Sequence, residues 1–406
     1  MRSTLRFVAS AVALVAAFSA QAQSGGLNVT AAGAVIIDAD TGKVLWSKDP
    51  DTMRCPASTT KIMTALLMLE HCRPEEIITA PSDVNNVGEA SLHLQPGEKV
   101  TAQEMLYALM LRSANDGCYA VAIHIAGSVP AFAKMMNERA KQIGCSHTHF
   151  CNPNGLPNPQ HKISPRDLAM IAREAMKRGD FEEVVRQQKH TIARSTNQTD
   201  LLLKNRNKYL AMDPTADGIK TGWTIAAGHC YVGSATRDGY RLITVVMKSS
   251  DWVTDHKNML GWAYKFHERR LIAKRGIEIG QLPIKGGLDA TIPVGPKNDV
   301  YCVVRKHAPP IVEPQIAPGA EVQAPILVGD QVGFAVTQDD TGKPIKIPLV
   351  AMADVAVRPM QAGQSLSVVA STMGFVALMG GGALFMRRRS KRVADQFAAN
   401  GSILKP

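Results

Sequence analysis

Ser58-Thr59-Thr60-Lys61, Ser113-Ala114-Asn115 and Lys220-Thr221-Gly222 stand in that order along the chain. Between them they offer a nucleophile, a base, a proton relay and an anion-holding cation, the set that acyl transfer through a serine ester requires. Residues three apart share one face of a helix, so Ser58 and Lys61 can bring hydroxyl and amine into contact. A serine at a helix N-terminus also meets free backbone N–H groups and the positive end of the helix dipole, which favour the negative charge that develops on an attacked carbonyl. A lysine accepts a hydroxyl proton only if burial or another cation lowers its pKa, and Lys220 is the candidate for that cation. Ser113 can pass a proton between Lys61 and a leaving amine, while Asn115 carries both a donor and an acceptor for a substrate amide. The Thr221 hydroxyl and the Lys220 ammonium can hold a carboxylate. Gly222 removes the side chain that would stop a peptide from lying along the chain as an added strand. Each motif alone has a plain reading, as an N-cap with a solvated lysine, a polar helix C-terminus and a surface turn. Their ordered combination is what points to chemistry.

The elements needed to position these residues are legible around them. Ala34–Asp38 and Lys43–Ser47 flank Ala39-Asp40-Thr41-Gly42 and predict a β-hairpin. A helix is expected from about Ser58, apolar on nearly every face through Ile62, Met63, Leu66, Leu67 and Leu69, the pattern of a helix buried at the centre of a domain. Thr101 with Glu104 makes a capping box for a helix that runs toward Ser113. Ser164-Pro165 starts another over Asp167–Met176. Strands are expected at His229–Ala235 and Tyr240–Met247, joined through Arg237-Asp238-Gly239, and a closing helix at Trp262–Leu271. Strands at both ends with helices between them predict an α+β domain over residues 29–273, its antiparallel sheet assembled from the two termini. From 276 to 358 the chain turns to short strands broken by Pro and Gly. Gly280, Pro293 and Asp299-Val300 are echoed by Gly333, Pro348 and Asp354-Val355, which predicts two similar β-units packed face to face as a small sandwich.

At 406 residues two domains are the default. Arg2 and Arg6 ahead of an apolar run, then Ala20-Gln21-Ala22, have the form of a secretory signal peptide over residues 1–22. Leu366–Met386 is an uncharged apolar run long enough, at about 1.5 Å per residue, to cross about 30 Å of hydrocarbon. The basic tail 387–406 begins with Arg387, Arg388 and Arg389, a cluster that stays on the cytoplasmic side. The expected topology is an exported body on a C-terminal transmembrane helix. Much of the net charge of +11 lies in the leader and tail, so the body is only mildly basic and needs no nucleic-acid partner. Seven cysteines are too few for a disulfide scaffold, and their odd number leaves at least one unpaired within the chain.

The three motifs, with Leu94-Gln95-Pro96-Gly97, Asn154-Gly155-Leu156, Asn205-Arg206-Asn207, Asp217-Gly218-Ile219 and Ala227-Gly228-His229, resemble the serine D-Ala-D-Ala carboxypeptidases among the low-molecular-mass penicillin-binding proteins. The resemblance covers nearly the whole chain beyond the leader. It implies a penicillin-binding/β-lactamase-like transpeptidase domain, an antiparallel sheet with a central helical cluster. It implies that Ser58 attacks the bond between two terminal D-alanines of a peptidoglycan stem peptide, with Lys61 as general base and Ser113 as relay. Asn115, Lys220 and Thr221 would hold substrate, with the backbone N–H groups of Ser58 and Trp223 as oxyanion hole, and β-lactams would acylate Ser58. No cofactor or metal is implied, and the expected location is the outer face of a bacterial cytoplasmic membrane. Trp223 and Asn154 stand where relatives often carry other residues, and Met247 is followed by Lys248 where an Arg would give a second cation, leaving Arg206 as the candidate. A D,D-endopeptidase on the same scaffold, a β-lactamase and an inactive cell-wall or β-lactam sensor are the rival readings. Cys145, His147, His149 and Cys151 alternate and have zinc-ligand types. An extended strand, at about 3.3 Å per residue, spreads them too far apart to converge on one metal.

Overall fold

The computed structural model describes residues 26–317 and 321–359. The expected signal peptide, transmembrane helix and basic tail lie outside them. Among the described residues no single helix is long and apolar enough to cross a membrane. Two compact units are present. The first runs to Arg270 and takes in Tyr301–Pro310; the second comprises Leu271–Val300 and the chain from Ile311.

In the first unit, strands β1 (Gly33–Asp38), β2 (Val44–Lys48), β3 (Ala216–Thr224), β4 (Gly228–Arg237) and β5 (Tyr240–Ser249) form an antiparallel sheet in the order β2-β1-β5-β4-β3. It is built from both ends of the unit, as the sequence predicts. Asp238 and Gly239 have φ of +50° and +73°, the two left-handed positions of a tight hairpin whose twist matches that of β4 and β5. The helices are α1 (Lys61–His71), α2 (Ala102–Tyr107), α3 (Asn115–Ala126), α4 (Val129–Ile143), α5 (Pro165–Ala175), α6 (Gly179–Arg186) and α7 (Trp252–Phe266).

Every residue of β1 is buried, and its alternation divides the core. Val35 and Ile37 join Ile243 and Val245 against the helical cluster. Ala34 and Ile36 join Leu242, Val246 and, from α7, Met259, Leu260 and Ala263. A strand covered on both faces must be apolar throughout, as Ala34-Val35-Ile36-Ile37 is. Helix α1 is buried at every position from Lys61 to Met68, which explains why its apolar residues show no single stripe. The Thr101 cap is present, its Oγ1 accepting from Glu104 N at 3.2 Å, as is that of Ser164, whose Oγ accepts from Asp167 N at 3.2 Å.

Two expectations are corrected. The closing helix is Trp252–Phe266, and the chain then becomes extended over His267–Ala273. Its start is fixed by Asp251, which caps Thr254 N at 3.1 Å, a signal upstream of the aromatic stretch that suggested Trp262–Leu271. In the second unit the β-units do not stack as two separate sheets. Gly280–Lys285 with Thr291–Pro296, and Gln331–Gln338 with Pro344–Ala351, are joined edge to edge by Val294 opposite Ala351, giving one six-stranded sheet. Pro344–Ala351 alternates buried and exposed residues, so it has only one face to bury. The joined edges satisfy backbone groups while gathering Leu282, Ile292, Val294, Ile347 and Leu349 into one core.

Candidate active site

Ser58 is not the N-cap of a helix. It lies within a three-ten turn, Ala57–Thr60, that runs directly into α1. The turn is entered through Ala57 at φ +48°, a conformation that costs a residue with a Cβ. Thr59 and Thr60 donate their hydroxyls back to Pro56 O at 2.7 Å and Ala57 O at 2.8 Å, which fixes the turn. The Ser58 hydroxyl is thereby left for Lys61, whose Nζ stands 3.0 Å away.

Lys61 is fully buried and also donates to Asn115 Oδ1 and to Asn154 O, both at 2.7 Å. Burial, with Arg206 as a like charge, pushes its pKa down to about 8. Arg206, not foreseen in this role, adds to the like-charge repulsion between Lys61 and Lys220. Lys220 is itself buried on β3 and pushed well below the ordinary lysine range, first by burial and then by Lys61 and Arg206. A substrate carboxylate would supply the opposite charge that restores its ammonium. Arg206 is exposed and reaches both lysines electrostatically.

Ser113 ends a π-helical turn, Ala108–Arg112, with φ +68°, one residue before the extended Ala114 that leads into α3. It is buried, and none of the three Lys61 contacts reaches it. Asn115 is committed at both ends of its carboxamide, holding Lys61 through Oδ1 and donating Nδ2 to Gly88 O at 3.0 Å. In this structure it orients the base, a use not foreseen beside its expected contact with substrate.

Strand β3 forms an edge of the sheet. Lys220 donates to Thr221 O at 3.1 Å. A Cβ at Gly222 would come within 2.8 Å of Ser58 N and 3.0 Å of Thr59 N, so the close approach of β3 to the nucleophile turn requires glycine. Beyond it Trp223 and Ile225 are exposed, at 57% and 93%.

Several contributors were not identified from sequence. Asn154 acts through its carbonyl, which every residue possesses. The available signal was Gly155, at φ +83°, where a Cβ would fall 1.9 Å from Ala57 O. Asn152 shapes this loop by accepting from Gly155 N at 2.7 Å and donating to Leu156 O at 3.0 Å. His161 braces the turn at Thr60 Oγ1, 2.9 Å away. Its Nδ1 accepts from Cys151 N at 3.0 Å, so Nε2 carries the proton, and burial holds its pKa down to about 4. A cavity of about 220 Å³ lies alongside, lined by Pro56, Leu156, Pro157, Pro159, Thr224 and Ala226 among others. Cys145, His147, His149 and Cys151 do not converge as a group. Cys151 Sγ lies 3.5 Å from His149 Nδ1, whereas Cys145 donates to Asp167 O and His147 N bonds Asp167 Oδ2. Cys55, Cys72, Cys118, Cys145, Cys151 and Cys230 carry free thiols.

The arrangement is a half-exposed hydroxyl on a constrained turn, a buried amine of lowered pKa in contact with it, and a glycine-lined strand alongside. It suits attack on a carbonyl by an activated serine. The sequence profile of D-alanyl-D-alanine carboxypeptidases matches residues 17–251, and that of the penicillin-binding protein 5 C-terminal domain matches residues 267–357. The D-alanyl-D-alanine carboxypeptidase DacF of Bacillus subtilis is 30% identical over 334 residues, 80% of this chain and 86% of the relative. DacA of Escherichia coli is 29% identical over 378 residues, 86% of this chain and 92% of the relative. Among solved structures, penicillin binding protein 5 from Haemophilus influenzae superposes with a TM-score of 0.67 at 27% identity, covering 81% of this chain and 98% of its own. The Streptomyces K15 DD-transpeptidase gives 0.55 at 32% identity over 59% of this chain and 98% of its own.

Proposed function

Since the chain belongs to the D-alanyl-D-alanine carboxypeptidase family and is a serine D-Ala-D-Ala carboxypeptidase of the penicillin-binding protein fold, we propose that Ser58 is its nucleophile and Lys61 its base. The observation that carries this assignment is the 3.0 Å contact between Ser58 Oγ and a fully buried Lys61 Nζ. About a tenth of a lysine of pKa about 8 is neutral at pH 7, enough to take the hydroxyl proton.

Ser58 Oγ then bonds the carbonyl carbon of the penultimate D-alanine. The oxyanion is held by the Ser58 and Trp223 backbone N–H groups. As the intermediate collapses the C–N bond breaks, and terminal D-alanine leaves with a proton passed from Lys61 through Ser113. Lys61 then takes a proton from water as that water attacks the ester carbonyl, and returns the proton to Ser58 Oγ as the acyl C–O bond breaks. Lys220 and Thr221, with Arg206 as second cation, hold the terminal carboxylate, and the shortened peptide lies along β3 at Gly222. The substrates are peptidoglycan stem peptides, and β-lactams acylate the same oxygen. The body works on the outer face of a bacterial cytoplasmic membrane, exported by residues 1–22 and anchored by 366–386; the leader and apolar run of the sequence support this reading.

Ser58→Ala is expected to abolish both release of D-alanine from a stem pentapeptide and the penicillin adduct seen by intact-protein mass spectrometry. Persistence of either activity rules out Ser58. Cleavage of cross-linked dimers in preference to pentapeptides would instead identify an endopeptidase.

A further inference from the structure

We propose that Cys72, Glu76 and His124 form a binding site for one divalent cation of the zinc class, at the opposite ends of α1 and α3 from the reacting groups. Among the described residues, one ligand atom from each of these three lies within 4.8 Å of the others. A tetrahedral zinc ion, with bonds of about 2.0–2.3 Å, sets its donor atoms about 3.3–3.8 Å apart. Small rotations of side chains separate the two arrangements.

The backbone fixes all three positions. Cys72 follows the last residue of α1, and its N–H bonds Met68 O at 2.8 Å. Glu76 sits in a turn closed by its own N–H to Arg73 O at 3.0 Å, while Oε2 accepts from Arg73 N at 3.2 Å. Oε1 is thereby directed to His124 Nε2, 2.8 Å away in the last turn of α3. One sulfur, one imidazole nitrogen and one carboxylate oxygen are a donor set for zinc, whereas calcium and magnesium take oxygen. Water completes the fourth position. The same three residue types could suggest a thiol nucleophile with a His–Glu partner. Burial and Glu76 raise the Cys72 pKa to about 11, which leaves the thiol protonated and unsuited to that task. A bound cation provides the charge that lets the thiol lose its proton to solvent.

The position gives the site a purpose. Helix α1 begins at Lys61 and α3 at Asn115, and those two residues bond each other at 2.7 Å. Cys72 and His124 stand at the other ends of the same helices. A cation shared by them clamps the pair at the end remote from Ser58, so that the contact orienting the base is held from both sides.

The test is titration of the metal-free full chain, in detergent, with Co2+ as the spectroscopic probe. One equivalent is expected to bind with a thiolate-to-cobalt absorption band, and Zn2+ should displace it. Cys72→Ser should remove the band, and His124→Ala should weaken binding at least tenfold. Cys151→Ser, at the other Cys–His contact, should change neither. Zn2+ should raise the unfolding temperature of the unsubstituted chain and not that of Cys72→Ser. Acylation by a fluorescent penicillin reports whether each variant is folded. If Cys72→Ser is not acylated, the decision passes to Glu76→Gln, whose carboxylate is partly exposed. Tenfold weaker binding by that variant supports the site, and unchanged affinity overturns it. A band that survives Cys72→Ser, or a folded unsubstituted chain that binds no stoichiometric metal, also overturns it.

Discussion

Lys61 combines complete burial with three oxygen neighbours, and its pKa near 8 follows from the loss of water more than from any one charge. Because the base must be neutral to accept a proton, kcat/KM for D-alanine release should fall about tenfold per pH unit below about 8 and level off above it. Arg206 disfavours the charged form of Lys61, so Arg206→Ala should raise the lysine pKa and move that limb to higher pH; a pH profile for the two proteins checks the sign. Gly155→Ala places a Cβ 1.9 Å from the Ala57 carbonyl at a φ of +83°. A loss of more than about 2 kcal/mol is expected in denaturant unfolding, with slower penicillin acylation because the nucleophile turn must move. Ser58 and Lys61 were legible because a three-residue spacing has a geometric meaning on any helical turn. The carbonyl of Asn154 was not, since a main-chain oxygen leaves no mark on residue type, and only the neighbouring glycine hinted at a close approach.

Helix α3 delivers Asn115, but the loop before it holds that residue in place. Asn115 N donates to Ala90 O at 2.7 Å, and Asp116 accepts from Leu92 N at 2.9 Å, Leu94 N at 3.0 Å and Ser91 Oγ at 2.6 Å. The loop is closed from outside by Arg194, which grips Glu98 through two bonds of 2.7 and 3.0 Å and also donates to Leu92 O and His93 O. Both side chains of that ion pair are fully buried. Glu98→Gln leaves the guanidinium without its counter-charge and should cost about 3–5 kcal/mol, read by urea unfolding, with a parallel fall in acylation rate. The double variant Glu98→Leu with Arg194→Met should recover most of the stability. Helices and hairpins were readable from caps, turns and periodicity. Arg194 and Glu98 were not, because they are 96 residues apart and no local pattern joins them. The closing helix was misplaced because its start is set by the Asp251 cap, upstream of the aromatic stretch, and its end at Phe266 falls where the polar run His267-Glu268-Arg269-Arg270 begins.

The two units were foreseen as consecutive stretches, yet Tyr301–Pro310 belongs to the first. Val303 is buried in the same cluster as Ala34 and Ile36, its carbonyl accepts from Lys43 Nζ at 2.9 Å, and the Arg269 guanidinium lies 3.6 Å from the Tyr301 ring centre. Nothing local in the sequence announces such a return, since burial there is decided by residues more than two hundred positions earlier. A fragment ending at Ala273 loses this segment. It should melt about 5 °C or more below the chain ending at Arg358, given the stability carried by one buried valine and its neighbours; differential scanning calorimetry checks it. One consequence attaches to β3, the outermost strand of its sheet. A protein that reads extended peptides must leave a border of main-chain groups open to visitors, and such a border is equally welcoming to a sibling molecule. Here the stretch around Gly222 is overhung by the turn that carries Ser58. The gatepost that performs the reaction also narrows the entrance, admitting a slender guest while keeping a whole sheet from zipping on.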